Sequence, residues 1–234
     1  ADRRRIQPLA LVRSILLLVG TLSLLASTVV AQDEETAGGH VIVLPTSGVV
    51  DQIMAEYLRS GIDRAEAEGA AAVVIELDTP GGSLESTREI VQSELSAEVP
   101  VMVWVGPAGA RAASAGTFLT LAAHVASMAP ATNIGAATPV SGDGQDIPED
   151  LGEKIMNDTI ATITSIAEER GRPVDWAVST VTDALSFTVD EALEAGAIDI
   201  KAESIDDLLV QADGMTVDVA GEAVVLDTAG AETE

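Results

Sequence analysis

The sequence predicts an α/β fold of repeated strand–helix units on a mostly parallel sheet, and three observations point to it. Short apolar runs alternate with stretches of helical periodicity from residue 41 to about residue 129, the pattern of consecutive βα units. Hydrophobic residues make up 47% of the chain and aromatics only 2%. The core is therefore built from Ala, Val, Leu and Ile, which suit a parallel sheet covered by helices. A length of 234 residues holds one substantial domain of this kind and not two, once the ends are set aside.

Residues 41–45 read as the first strand, stopped by Pro45 and Gly48. Residues 49–68 follow as a helix, because Val50, Ile53, Met54, Tyr57 and Leu58 recur at near-helical spacing while Arg64 and Glu68 mark a wet side. Residues 70–77 are apolar apart from Glu76, as a central parallel strand requires. Asp78-Thr79-Pro80-Gly81-Gly82-Ser83 stops that strand, and residues 84–95 return to helical periodicity. Residues 99–105 are the next strand, 106–113 a loop of small residues, 114–124 a helix, and 125–128 a short strand before Pro130. A longer helix over 149–170 places Ile155, Ile160, Ile163 and Ile166 among its apolar positions. Shorter helices at about 173–180, 189–195 and 204–211 surround a last strand at 197–200.

The ends read differently. Arg3, Arg4 and Arg5 precede an apolar run over 9–30 that Arg13 interrupts, and Ala31 is followed by Gln32-Asp33-Glu34-Glu35. This order is that of an export signal cut after Ala31, or of an uncleaved anchor, since the uninterrupted stretch 14–31 is close to spanning length. Positive charge before the run and acid after it places the rest outside the cytoplasm. At the other end, residues 215–219 and 223–227 suggest a hairpin around Gly221, and 228–234 is a small, polar segment that reads as a linker. The expected division is 1–31 as signal or anchor, 40–213 as the functional domain, and 214–234 as hairpin and tail.

Asp and Glu number 38 against 12 Lys and Arg, a formal charge of -26. Such a surface repels nucleic acid, and its self-repulsion is screened only in concentrated salt, so the composition reads as that of a salt-loving organism's protein. The absence of cysteine excludes disulfides, thiol nucleophiles and Cys-based metal sites. Two histidines, His40 and His124, are too few for a histidine-rich metal centre.

Two segments at strand exits carry the candidate chemistry, since ligands of open parallel sheets collect there. One is Asp78-Thr79-Pro80-Gly81-Gly82, and the other is Ala112-Ala113-Ser114-Ala115-Gly116. Adjacent glycines let backbone N–H groups approach a ligand, and a serine at the mouth of a helix is aimed by that helix start. Ser114 then reads as a nucleophile with oxyanion donors at the N–H groups of Gly82 and Ala115, or as an ordinary helix cap. Ala112 stands where the hydrolase elbow G-x-S-x-G has its first glycine, which disfavours that fold. A nucleophilic hydroxyl needs a base. His124 lies ten positions beyond Ser114, about 15 Å of helical rise, too far for a Ser-His pair. Lys154, one of only two lysines with Lys201, reads either as a partly desolvated neutral base or as a solvated residue paired with Glu153 or Asp158.

At these residues the chain resembles the NfeD family of membrane-bound serine proteases, in the ClpP/crotonase superfamily. Glu76-Leu77-Asp78-Thr79-Pro80-Gly81-Gly82 and Ala112-Ala113-Ser114-Ala115-Gly116-Thr117 carry the resemblance. Met128-Ala129-Pro130, Asn133-Ile134-Gly135-Ala136-Ala137-Thr138-Pro139-Val140, Glu153-Lys154-Ile155-Met156-Asn157-Asp158 and Ser186-Phe187-Thr188-Val189-Asp190-Glu191-Ala192-Leu193 extend it in the same order. The resemblance implies a ClpP/crotonase-like spiral and a serine endopeptidase with Ser114 as nucleophile and Lys154 as base. It places Gly81 and Gly82 beside the substrate and oxyanion N–H groups at Gly82 and Ala115, with no metal and no cofactor. It also implies substrates that are apolar stretches of membrane-associated proteins such as stomatin-like partners, a homodimer, and further membrane spans beyond residue 234. The histidine of ClpP has no counterpart, because Pro139 stands at its position. Two other readings remain open on the residues. One is a non-catalytic scaffold for a stomatin-like protein, and the other a crotonase-like acyl-CoA enzyme, for whose CoA phosphates this chain offers few cations.

Overall fold

The structure, a computed structural model, describes residues 39–141 and 148–234; the expected signal or anchor lies outside them. In chain order the elements are β1 (Val41–Ser47), α1 (Gln52–Glu68), β2 (Ala72–Asp78), α2 (Leu84–Ser96), β3 (Val101–Val105), β4 (Arg111–Ala113), α3 (Ala115–Ala122), β5 (Val125–Met128) and β6 (Asn133–Gly135). Then follow α4 (Glu149–Glu169), α5 (Val174–Thr182), β7 (Ser186–Thr188), α6 (Val189–Glu194), β8 (Ile200–Lys201), α7 (Ile205–Ala212), β9 (Thr216–Val219) and β10 (Glu222–Val225). Five strands form a parallel sheet in the order β1-β2-β3-β5-β8. Alternating strand–helix units on a parallel sheet are thus what the periodicity predicts.

Side-chain alternation explains why this sheet is buried on both faces. Val73, Ile75 and Leu77 of β2, with Val101, Val103 and Val105 of β3, join a core packed by α1 to α4. The intervening Ala72, Val74, Met102 and Trp104 join a second core closed by α7 and Leu226. Neither strand therefore shows the apolar–polar alternation of a one-sided sheet, and both read as continuous apolar runs.

Helix α1 starts three residues later than expected because Asp51 caps it, its carboxylate accepting from the Met54 N–H at 2.9 Å. Gly69 ends it at φ 65. The buried stripe is Met54, Leu58, Ile62 and Ala65, so Ile53 and Tyr57, expected on the core side, project outward at 79% and 43% exposure. Val50 belongs to no helix and pairs instead with Gly82.

A second sheet, β4-β6-β7, was not expected. Its strands have three residues each, too few to show a period, and β4 occupies the end of the stretch read as a loop. The hairpin β9–β10 stands where Gly221 suggested it. The segment after it is more than a linker. Val41 N–H donates to the Glu232 carbonyl, Val43 N–H to that of Glu234, and Glu234 N–H to that of Val41, while Thr228 is fully buried with its hydroxyl on the Leu209 carbonyl. Backbone pairing needs no apolar side chains, so composition alone misses it.

Charges enter the core at one end of the sheet. The Arg172 side chain, 3% exposed, pairs with Asp199 at 3.0 Å and donates to the carbonyls of Leu121, Ala123 and Ala197. His124 Nδ1 accepts from Val101 N–H at 3.0 Å, so the imidazole holds the start of β3. Burial, with the Arg170 guanidinium nearby, pushes its pKa down to about 4. Glu94 is fully buried, neither carboxyl oxygen has a hydrogen-bond partner, and burial raises its pKa well above the usual range against the pull of Arg170.

A carboxyl whose folded-state pKa is raised stabilises fully below its unfolded value and loses that stability as pH rises. The Glu94→Gln variant is therefore expected to gain on the wild type as pH climbs from 4.5, by up to about 1.4 kcal/mol per pH unit until Glu94 ionises in the folded protein. Urea unfolding of both proteins at pH 4.5, 6 and 8 measures this difference.

Candidate active site

The site forms where the exits of β2 and β4 meet. Thr79 N–H donates to the Arg111 carbonyl at 2.8 Å and Ala113 N–H to the Thr79 carbonyl at 3.1 Å, so the two segments run side by side. Beyond this crossing β2 turns into Pro80-Gly81-Gly82 and β4 into Ser114.

Ser114 has φ 51 and ψ −110, makes no capping hydrogen bond, and sends its N–H to the Gly135 carbonyl at 2.8 Å. An N-cap serine has extended backbone and bonds the helix's first turn, so the capping reading fails. What remains is a half-buried hydroxyl on a backbone held in a region that residues with a Cβ avoid. Thr117 supports it, its hydroxyl lying 3.1 Å from the carbonyls of both Ala112 and Gly135.

The glycines lie against this serine. A Cβ on Gly81, at φ 109, would come within 2.7 Å of Ser114 Cβ and 3.2 Å of its Oγ. A Cβ on Gly82 would meet the Val50 carbonyl oxygen at 2.0 Å. Val50 takes up the neighbours of Gly82, donating to the Gly81 carbonyl at 3.0 Å and accepting from Ser83 N–H at 2.9 Å. In such pairing the central residue turns its own N–H and C=O to the opposite side, so the Gly82 N–H faces away from Val50. Ala115 is the first residue of α3, where N–H groups lack an intrahelical partner.

Ser114, Gly82 and Ala115 all line one cleft, whose water-accessible volume is about 70 Å³. Leu84, Val91, Phe118, Ala137 and Val140 give it apolar walls, and Thr87, Thr159 and Thr162 add hydroxyls. Arg88 also lines it, ion-paired with Asp158 and so joining α2 to α4. Among the described residues, no group of His, Asp or Glu is placed to hold a metal ion.

Lys154 is not part of this assembly. It is exposed, does not line the cleft, and its side chain makes no hydrogen bond or ion pair among the described residues. The expected partial desolvation is therefore not seen. Helix α4 buries Thr159, Ile163, Ile166 and Ala167, and Lys154 lies about 140° round the axis from Thr159 at 100° per residue. Thus the structure brings together Ser114, Gly81, Gly82 and Ala115 and leaves Lys154 apart. Reading the sequence missed Thr79 and Arg88. Thr79 stands inside the quoted motif, but its side chain's role depends on the distant Gly48, and Arg88 carries no local signal on its helix.

The fold and site define an α/β domain that sets a serine elbow against a glycine turn. Its fold is similar to that of ClpP1 from Listeria monocytogenes, with a TM-score of 0.58 and 21% identity over 71% of this chain and 94% of that one. Residues 40–221 match the NfeD1b N-terminal domain family, and the chain belongs to that family. It is 38% identical over 224 residues to the membrane-bound protease PH1510 of Pyrococcus horikoshii, covering 94% of this chain and 49% of that protein. It therefore spans about half the length of that relative. Two structures of the 1510-N membrane-bound stomatin-specific protease superpose with a TM-score of 0.78 at 37% identity over 85% of this chain. One, 97% covered, has a serine replaced by alanine; the other, 92% covered, has a lysine replaced by alanine and is in complex with a substrate peptide. Among the described residues no helix is long and apolar enough to cross a membrane.

The backbone at Ser114 should show its cost. Ser114→Gly, which adopts positive φ without a Cβ clash, is expected to unfold at higher temperature than the wild type, by the equivalent of ~1 kcal/mol. Calorimetry of the two proteins checks it.

Proposed function

We propose that this chain is the peptide-cleaving domain of a membrane-associated serine protease, acting on apolar segments of a stomatin-like protein. The observation that supports it most is the strained Ser114 lying against Gly81, in an apolar cleft bordered by the Gly82 and Ala115 amides. The similarity to a stomatin-specific protease studied as serine and lysine variants, one of them with a substrate peptide, supports a Ser114–Lys154 dyad.

In the proposed reaction Lys154, as the free amine, takes the proton of Ser114 Oγ while that oxygen attacks the scissile carbonyl carbon. The Gly82 and Ala115 N–H groups hold the oxyanion. As the C–N bond breaks, the Lys154 ammonium protonates the leaving amine and an acyl-enzyme remains. Water then loses a proton to Lys154 and attacks the ester, and the proton returns to Ser114 Oγ as the acid departs. Because Lys154 is exposed in the free chain, the dyad closes only when substrate or a partner copy draws the first turns of α4 to the cleft, as catalytic contacts often tighten on binding. An extended substrate pairs with the edge of Gly81–Ser83 that faces away from Val50.

With this reading go several further proposals: a crotonase-type spiral, residues 40–213 as the protease domain, a membrane tether or export signal in 1–31, membrane-linked sequence beyond 214–234, a homodimer facing away from the cytoplasm, and a high-salt milieu. The exposure of Lys154 favours a second reading, a non-catalytic scaffold that binds a stomatin-like protein in the same cleft. An acyl-CoA enzyme is disfavoured, since among the described residues the one cation lining the cleft, Arg88, is already paired with Asp158.

Incubation of the purified chain with apolar peptides in high salt separates these readings. Cleavage is expected, with Ser114→Ala and Lys154→Ala each lowering kcat by on the order of 10³-fold or more. Turnover retained by either variant would remove that residue from the mechanism. Peptide binding without cleavage by any of the three would support the scaffold.

A further inference from the structure

Thr79 is fully buried and ties together three separate pieces of chain. Its hydroxyl donates to the Gly48 carbonyl at 2.7 Å and accepts from Gly81 N–H at 3.0 Å. Its backbone holds Arg111 and Ala113, the strand that leads into Ser114. Its methyl Cγ2 would be 2.7 Å from a Cβ on Gly116, so it also abuts the first turn of α3.

These contacts close a ring around the glycine turn. Thr79 Oγ1 fixes the Gly81 N–H on the inner side and also fixes Gly48, two residues before Val50. Val50 then grips the Gly81 carbonyl and the Ser83 N–H. With the peptide units on either side of it so held, Gly82 has one orientation left, its N–H turned from Val50 toward the cleft. A glycine turn without such a clamp rotates its peptide units freely, and an oxyanion donor is effective only when oriented before the charge develops.

We infer that Thr79 is a positioning residue, whose side-chain hydroxyl orients the Gly82 N–H toward the Ser114 oxygen and whose backbone sets the distance between them. This inference rests on the proposed roles of Ser114 and Gly82. It concerns the transition state, so it predicts a loss in kcat with little change in KM.

Two substitutions separate the hydroxyl from the methyl. Thr79→Val keeps the shape and removes the hydrogen bonds, while Thr79→Ser keeps the hydroxyl and removes the methyl. In kinetics on an apolar peptide substrate, Thr79→Val is expected to lose ~10- to 100-fold in kcat at near-constant KM. Thr79→Ser is expected to stay within about threefold of wild type. By NMR hydrogen exchange, the Gly81 amide is expected to lose at least about tenfold in protection in Thr79→Val and to keep it in Thr79→Ser. Wild-type kcat in Thr79→Val, or equal losses in both variants, would overturn the inference. So would a Gly81 amide that stays protected in Thr79→Val. The exchange result tests the hydroxyl's hold on the turn separately from catalysis, whereas a wild-type chain that cleaves nothing would sink the proposed function, whatever the Gly81 amide does.

Discussion

Two backbone hydrogen bonds, from Thr79 N–H to the Arg111 carbonyl and from Ala113 N–H to the Thr79 carbonyl, hold the exit of β2 against the strand that enters Ser114. Everything at the site depends on that crossing. It places the glycine turn under the serine, and contacts of less than 3 Å to any added Cβ leave no room for side chains at Gly81, Gly82 or Gly116. The small sheet continues the constraint: Ser114 N–H and the Thr117 hydroxyl both reach the Gly135 carbonyl. Gly135, at φ 129, is pressed so closely on Leu185 that a Cβ would lie 2.2 Å from its carbonyl oxygen. The unfavourable backbone of Ser114 is thus imposed from both sides, at a residue that lines the cleft.

The helix behind the serine is secured at its other end by charge. Arg172 donates to the carbonyls of Leu121 and Ala123, and Arg170 to that of Ala122, so two guanidinium groups cover the last carbonyls of α3. Cations are favourable at a helix C-terminus, and here they also satisfy acceptors that burial would otherwise leave unpaired. A chain with 38 acidic and 12 basic residues spends two arginines on this internal task. Among the described residues its acids stay mainly in solvent, with Glu94 the buried exception.

The sequence made the central sheet legible because strands buried on both faces read as uninterrupted apolar runs, and α4 legible because Ile163 and Ile166 keep a helical period. It made Gly81, Gly82, Ser114 and Ala115 legible because turn chemistry is local. The three short strands were hidden, having no period, and so was the pairing of residues 232–234 with β1, which uses only backbone. Thr79 was visible as a letter in a motif, but its function lies in the contact with Gly48, 31 positions away. Lys154 shows the limit from the other direction: its scarcity in this composition singled it out, yet the period of α4 turns it outward, away from the lining of the cleft.

The most direct test of Ser114 as nucleophile is acid-quenched mass spectrometry of the purified chain during turnover of an apolar peptide ester in high salt. Acylation through Ser114 predicts a mass gain equal to the acyl group, confined to the fragment that contains Ser114 and removed by hydroxylamine. Hydrolysis that proceeds with no acyl group on that fragment, or with one on another residue, would contradict it.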